Sequence, residues 1–367
     1  MLAHRCQLAR RCQLAHRCQL ARRCQLAVGA GPRTLSYREF NRGLLVQGPF
    51  FIFVRPMRRN AQCLQPPHQY GIHVHKFLLP VLLLLIHPRG IASPHPGDST
   101  QSHWEFLPSP ALLLPFPASV EEPRTGIRKE IGSSRMTLSI GGQIDLVEWR
   151  PPGTSNVHLR VGAQLFTYAL TASYQGLRLQ MDAADGYFGG YLVGRQQGPA
   201  SALTLRFRIM HLSSHMLDGN YDLNTGEWKD GREPVPLSRD FGELLGAYSW
   251  LGTNWEVMVY SGFSYATLVR PPELMAWNTL FGVVAHASPW PGGVFGKPAS
   301  VYLSDHFTLS GLSSLQGTNT LEVGLKMGTW EGSGVKIYCN YHSGLEVFHQ
   351  YFDLQRYDWG LGIALDL

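Results

Sequence analysis

From Met136 onward, apolar and polar side chains alternate in runs separated by clusters of Gly, Pro, Asn and Asp. In the stretch 202–215, Leu203, Leu205, Phe207 and Ile209 share one parity, while Thr204, Arg206 and Arg208 share the other. That period of two marks a strand with one apolar and one wet face. His211, Ser213 and His215 continue the apolar parity. In a regular strand they therefore lie on the face of Leu203 to Ile209. Two later runs have the same dyad: Leu321, Val323, Leu325 and Met327, then Val335, Ile337, Cys339 and Tyr341.

The pattern predicts strands at 136–149, 157–170, 175–183, 186–196, 202–215, 239–250, 254–266, 277–287, 300–310, 318–330, 334–342, 344–353 and 357–367. A soluble β-sandwich and a transmembrane barrel both alternate in this way. Length separates them. Most of these runs reach the ~9–11 residues that cross a bilayer when tilted, against a mode of ~5–6 in soluble sheets. Aromatics cluster near the run ends at Trp149, Tyr187, Tyr191, Trp250, Trp255, Tyr260, Trp277, Trp290, Tyr302, Trp330, Tyr357 and Trp359, as interfacial girdles require. The last run alternates through Tyr357, Trp359, Leu361, Ile363, Leu365 and Leu367, the ending of outer-membrane barrels, with Leu where Phe is usual. The expectation is an all-β, antiparallel transmembrane β-barrel of about 12 strands (10–14) over 136–367, in a bacterial, Gram-negative outer membrane. Met216 to Ser238 is the longest strand-free stretch, and long polar loops belong on the outer side, which places His211 to His215 at the outer rim.

The first 135 residues do not follow the dyad. Residues 1–27 repeat Cys-Gln-Leu-Ala-(His/Arg)-Arg with Cys6, Cys12, Cys18 and Cys24 evenly spaced. Metal sites pair cysteines closely across a longer spacer, so residues 1–56 are read as a low-complexity leader rather than a metal array. Met57 is the expected initiator, and 57–92 is read as a signal peptide. Arg58, Arg59 and Lys76 precede an apolar core at 77–86, with Gly90-Ile-Ala92 as the cleavage pattern. Residues 93–135 form a Pro-rich, lead-in or plug-like segment.

The net charge of +6 suggests nucleic acid, but 12 of the 32 Lys and Arg lie in the first 60 residues, with Glu39 the only acid there. The other 20 face 25 acids, so nucleic acid is excluded as a partner. The partners expected of such a barrel are outer-membrane lipids and the barrel-assembly machinery.

The stretch 206–218, Arg-Phe-Arg-Ile-Met-His-Leu-Ser-Ser-His-Met-Leu-Asp, resembles the hallmark of an uncharacterised bacterial barrel family, domain of unknown function 1207. There a basic strand leads into a His-x-Ser-Ser-His-Leu-Gly-Asp-Glu-like turn. Ser214, His215 and Asp218 match it, while 216–219 is altered to Met-Leu-Asp-Gly. The resemblance covers roughly 105–367 and implies a fold and a location without a reaction. His211-Leu-Ser213 is also similar in spacing to the His-x-Ser pair of outer-membrane phospholipase A and the lipid A deacylases. Residues i and i+2 sit ~6–7 Å apart at their bases, close enough for an imidazole to take a hydroxyl proton. An orienting acid would come from Asp240 or Glu243 on the next strand, or from Asp218 or Glu227 in the loop.

Two functions remain open. One is a non-enzymatic outer-membrane barrel, structural or a narrow pore. The other is an outer-leaflet lipid acyl-ester hydrolase, with Ser213 as nucleophile and His211 as base. No cofactor is expected for the first, and Ca²⁺ is the one associated with the second. Arg206 and Arg208 are read as lumen charges with Glu148, Asp182 and Glu256 as partners. A metal at Asp182 and Asp185, or at His306, His342 and His349, is disfavoured by the spacing.

Overall fold

The computed structural model describes residues 102–367, apart from 175–176, 291 and 312–313. The leader at 1–56 and the signal at 57–92 lie outside the described residues. The strands in chain order are β1 His103–Phe106, β2 Thr125–Glu130, β3 Met136–Arg150, β4 Val157–Tyr174 and β5 Leu177–Gln197. They continue as β6 Ser201–Met216, β7 Tyr221–Asp222, β8 Glu227–Trp228, β9 Leu237–Leu251 and β10 Trp255–Arg270. The last are β11 Trp277–Ala287, β12 Ala299–Gly311, β13 Leu315–Gly328, β14 Gly334–Leu345 and β15 Gln355–Asp366. Each pairs antiparallel with its neighbours, and β2 links β15 to β3, so that twelve strands (β2–β6 and β9–β15) close into a barrel. β7 and β8 are a small hairpin in the connection between β6 and β9.

The first wall strand is split. β1 pairs with Val147–Arg150 of β3, and β2 pairs with Met136–Ser139 of the same strand. Between them the chain leaves the wall after Leu107, and from about residue 111 to 124 it runs inside the lumen. The 93–135 stretch thus contributes two strands to the sheet, and the wall starts before Met136. Pro-rich sequence suits this path, because Pro cannot donate to a ladder. Leu112, Leu113 and Phe116 are buried in a cluster with Tyr191, Val193, Leu245, Tyr260 and Leu280. Phe116 stacks on Tyr260 with ring centroids 3.8 Å apart. Polar ties flank this cluster: the Leu112 amide donates to Asp145 Oδ2 at 2.9 Å, and Arg124 donates to Glu322 at 2.9 Å.

Two strand expectations are corrected. The runs 175–183, from Leu177 on, and 186–196 are parts of the single strand β5. The stretch 344–353 is mostly a connection: β14 ends at Leu345, and a short 3-10 turn spans His349–Tyr351. Phe348 is only 1% exposed there, packed on Leu170 and Ala183, and Gln350 caps the carbonyls of Ser214 and Val235. Burial of one aromatic and one amide outweighs the β-propensity of the run.

Five of the expected girdle aromatics pack inward, Trp330 among them, part-buried against Tyr302 and the lumen clusters. Tyr187, Tyr191, Tyr260 and Tyr302 are all buried. Tyr191, Tyr260 and Tyr302 each lie directly across the ladder from a glycine, Gly162, Gly282 and Gly324 respectively, as Tyr338 does from Gly362. Any Cβ on those glycines would meet the facing ring. The ring occupies space that the glycine leaves open on the inner wall. Aromatics that remain outside include Trp104, Trp250 and Trp255 toward one end and Tyr265, Tyr357 and Trp359 toward the other.

Candidate active site

β6 alternates without interruption: even-numbered residues from Ala202 to Met216 are buried, and odd-numbered ones are partly or fully exposed. Its register with β5 and with β9 has no bulge. His211, Ser213 and His215 therefore share the outer face with Phe207 and Ile209, near the end that carries the long 217–236 connection.

Cross-strand pairing sets the neighbours of this face. His211 lies between Phe188 of β5 and Asp240 of β9. Its ring is 4.7 Å from that of Phe188, and its Nδ1 is 2.5 Å from Asp240 Oδ1. Ser213 lies between Gly186 and Ser238. Gly186 has no side chain to cover the hydroxyl, and a Cβ placed there would stand 3.8 Å from Ser213 Oγ. The imidazole is held on two sides, and the Ser213 hydroxyl, two residues along the same face, is open on one.

Glu243, the alternative acid for His211, is placed elsewhere. It faces the lumen, 1% exposed, and accepts from Arg206 at 2.9 Å and Arg208 at 2.7 Å. Arg206 is completed by Glu122 of the internal segment, at 2.5 and 3.1 Å. Arg208 also donates to the Glu121 carbonyl at 2.8 Å. The partners of these arginines are thus Glu122 and Glu243, not Glu148, Asp182 or Glu256. Glu148 serves Arg150, His158 and Arg160, Asp182 serves Lys229, and Glu256 serves His286. Two buried guanidiniums need close carboxylates, and the inner segment supplies one that strand alternation does not reveal.

The other motif residues serve the loops. Ser214 points inward and donates to Asp185, which also accepts from His349 through Nδ1 at 2.8 Å and the backbone amide at 3.0 Å. His215 is exposed on the outer face. Asp218 opens a 3-10 turn, Asp218–Asn220, and Glu227 sits in the β7–β8 hairpin. The remaining histidines have separate partners, Tyr260 for His306 and Thr320 for His342.

A closed ladder with apolar side chains outward satisfies its backbone internally, which is how strands cross a bilayer. Ile140, Leu165, Phe188, Leu192, Ile209, Phe263, Phe281, Leu303, Val323, Ile337, Leu361 and Ile363 supply that outer surface, each at least 42% exposed. The chain is a closed antiparallel β-barrel with an outer wall suited to a bilayer. No family model and no curated protein matches it. Among solved structures it is similar to the beta domain of the Bordetella autotransporter BrkA, with 13% identity over 65% of this chain and 95% of that one, at a TM-score of 0.38. It is similar to OmpT of Vibrio cholerae, with 10% identity over 67% and 99% of the two chains and a TM-score of 0.31. A bacterial polysaccharide outer membrane secretin gives 8% identity, 65% and 96% coverage and a TM-score of 0.28.

What the sequence did not single out at the rim is Phe188, Gly186 and Gly190. Once β5 is read as one strand, they form its outward row with Leu192, spaced by two.

Proposed function

We propose that this barrel is an acyl-ester hydrolase acting on lipids of the outer leaflet, with Ser213 as nucleophile, His211 as general base and Asp240 as the acid that orients it. One observation carries the reading: the 2.5 Å His211–Asp240 contact lies on the lipid-facing side, on the same face as Ser213. With the Nδ1–H donated to Asp240, Nε2 is the nitrogen available to Ser213, the division of labour of a triad. The spacing also resembles that of outer-membrane phospholipase A and the lipid A deacylases.

In the proposed reaction, Ser213 Oγ adds to the ester carbonyl carbon while His211 Nε2 takes its proton. The C–O bond to the lipid alcohol then breaks, and His211 returns the proton to the leaving alkoxide. Water attacks the acyl-serine in the same way, releasing the fatty acid and restoring Ser213. Calcium is the cofactor that the phospholipase likeness implies. Ca²⁺ needs six or more oxygens, and the Asp240 carboxylate is committed to His211. No step is therefore assigned to it.

Against the narrow-pore reading, Leu112, Leu113 and Phe116 of the internal segment take up space in the lumen. The test is acyl release from phospholipid and from lipid A by refolded protein, with calcium and with chelator, beside solute flux into liposomes. Release that Ser213→Ala abolishes supports the hydrolase. No release, or release unchanged in Ser213→Ala, overturns it, and size-limited flux by intact protein would restore the pore.

A further inference from the structure

Below the rim, the outer wall carries a groove of about 550 Å³ whose upper end is formed by His211 and Asp240. Its other outward side chains are apolar: Val161, Phe188, Leu192, Phe207 and Ile209. The cause is a row of missing side chains. Ile209 is paired across the ladder with Gly190 on one side and Gly242 on the other, so it stands alone and is 62% exposed. The rows above and below hold Phe188 and Leu192 on β5. Along β6 the groove runs from Phe207 to His211, about 13 Å at the rise of a strand.

We infer that this groove seats one acyl chain of the lipid whose ester Ser213 attacks, an inference that rests on the hydrolase reading. The occupant follows from position. The groove opens on the outer band, where the surrounding medium is hydrocarbon chain, and it is apolar except at the end where the ester must sit. A chain lying along Ile209 brings its carboxyl end to His211 and Ser213 without crossing a polar surface. Gly190 then sets specificity: a Cβ built there meets only the Gly162 carbonyl oxygen, at 3.5 Å, so the wall accepts a side chain that the groove does not.

The test uses full-length refolded protein in vesicles of phospholipid bearing a diazirine midway along one chain. In a Ser213→Ala background, crosslinks located by mass spectrometry are expected on 188–192 and 207–209. Gly190→Phe should reduce that labelling severalfold and leave labelling elsewhere on the wall unchanged. In active protein, Gly190→Phe is expected to lower the rate on long-chain relative to short-chain esters by roughly tenfold, the scale of discrimination by hydrophobic pockets. Gly190→Ala, a smaller intrusion, should shift the preference in the same direction, and heat-modifiable gel mobility verifies that both variants fold. Even labelling around the wall, or a chain-length profile that neither variant moves, overturns the groove while leaving acyl release intact. Focused labelling without any acyl release overturns the hydrolase reading instead and keeps the groove as a lipid site.

Discussion

The two faces of β6 treat polar side chains in opposite ways. On the inner face, Arg206 and Arg208 are 3% and 2% exposed, and their charges are met by Glu122 and Glu243. That network binds the wall to the internal segment, and the cost of burial explains why each cation has its carboxylate. On the outer face, His211, Ser213 and His215 end a row that begins with Leu203, Leu205, Phe207 and Ile209, the residues a bilayer favours. Asp240 meets His211 there without tying the wall to any other element. Inner polarity is accounted for by architecture. Outer polarity is not, and the proposed hydrolysis is what would account for it.

The contrast makes substitutions on the two faces separable. The largest effect belongs to Ser213→Ala, which should reduce acyl release to background while urea unfolding stays within about 0.5 kcal/mol of the parent, as for an exposed position. A stability loss matching the activity loss would return Ser213 to a structural role. Asp240→Ala should lower the rate by about 10²–10⁴, the range general-base catalysis supplies, again with the fold intact. Glu243→Ala should do the reverse. It leaves Arg206 and Arg208 short of a buried partner, so unfolding should be easier by roughly 3–5 kcal/mol. Protein that remains folded should keep its turnover, and a catalytic defect in that fraction would erase the distinction between the faces.

The wall was largely legible from alternation, because each strand must present apolar residues to lipid on every second position. The outward aim of His211 and Ser213 followed from the same parity, and Asp240 became a candidate once the next strand was assumed to pair directly. Alternation does not reveal what fills a lumen. Residues 107–124 lack periodicity, so composition allowed a lead-in or plug-like segment but gave neither its contacts nor Glu122 as the partner of Arg206. Inward tyrosines look like girdle residues in sequence, since only pairing across the ladder shows that Tyr191 faces Gly162 or Tyr260 faces Gly282. Glu243 lies three residues from Asp240 and hence on the opposite face, but which of the two faces outward depends on the register of β9 with β6.

The smallest predicted effect lies above the site, where Arg232 of the 217–236 connection meets Asp353 of the connection before β15. The guanidinium donates to both carboxylate oxygens, at 2.7 and 3.1 Å. These bonds hold the Asp353 carboxyl below its ordinary pKa. A group depressed in the folded state stabilises fully above its unfolded value, ~3.9, and loses that contribution as pH falls through the lower folded value. Both partners are part exposed, so the pair is worth ~0.2–1 kcal/mol at most. Proteolysis of the 217–236 connection by an acid-active protease should therefore quicken modestly as pH falls from 5 toward 2. Asp353→Asn should start fast at pH 5 and respond less to acid. An acid response of equal size in both proteins would mean that this pair does not hold the loop, whereas a flattened response would place a weak, salt-sensitive clasp over the rim where His211 and Ser213 face the membrane.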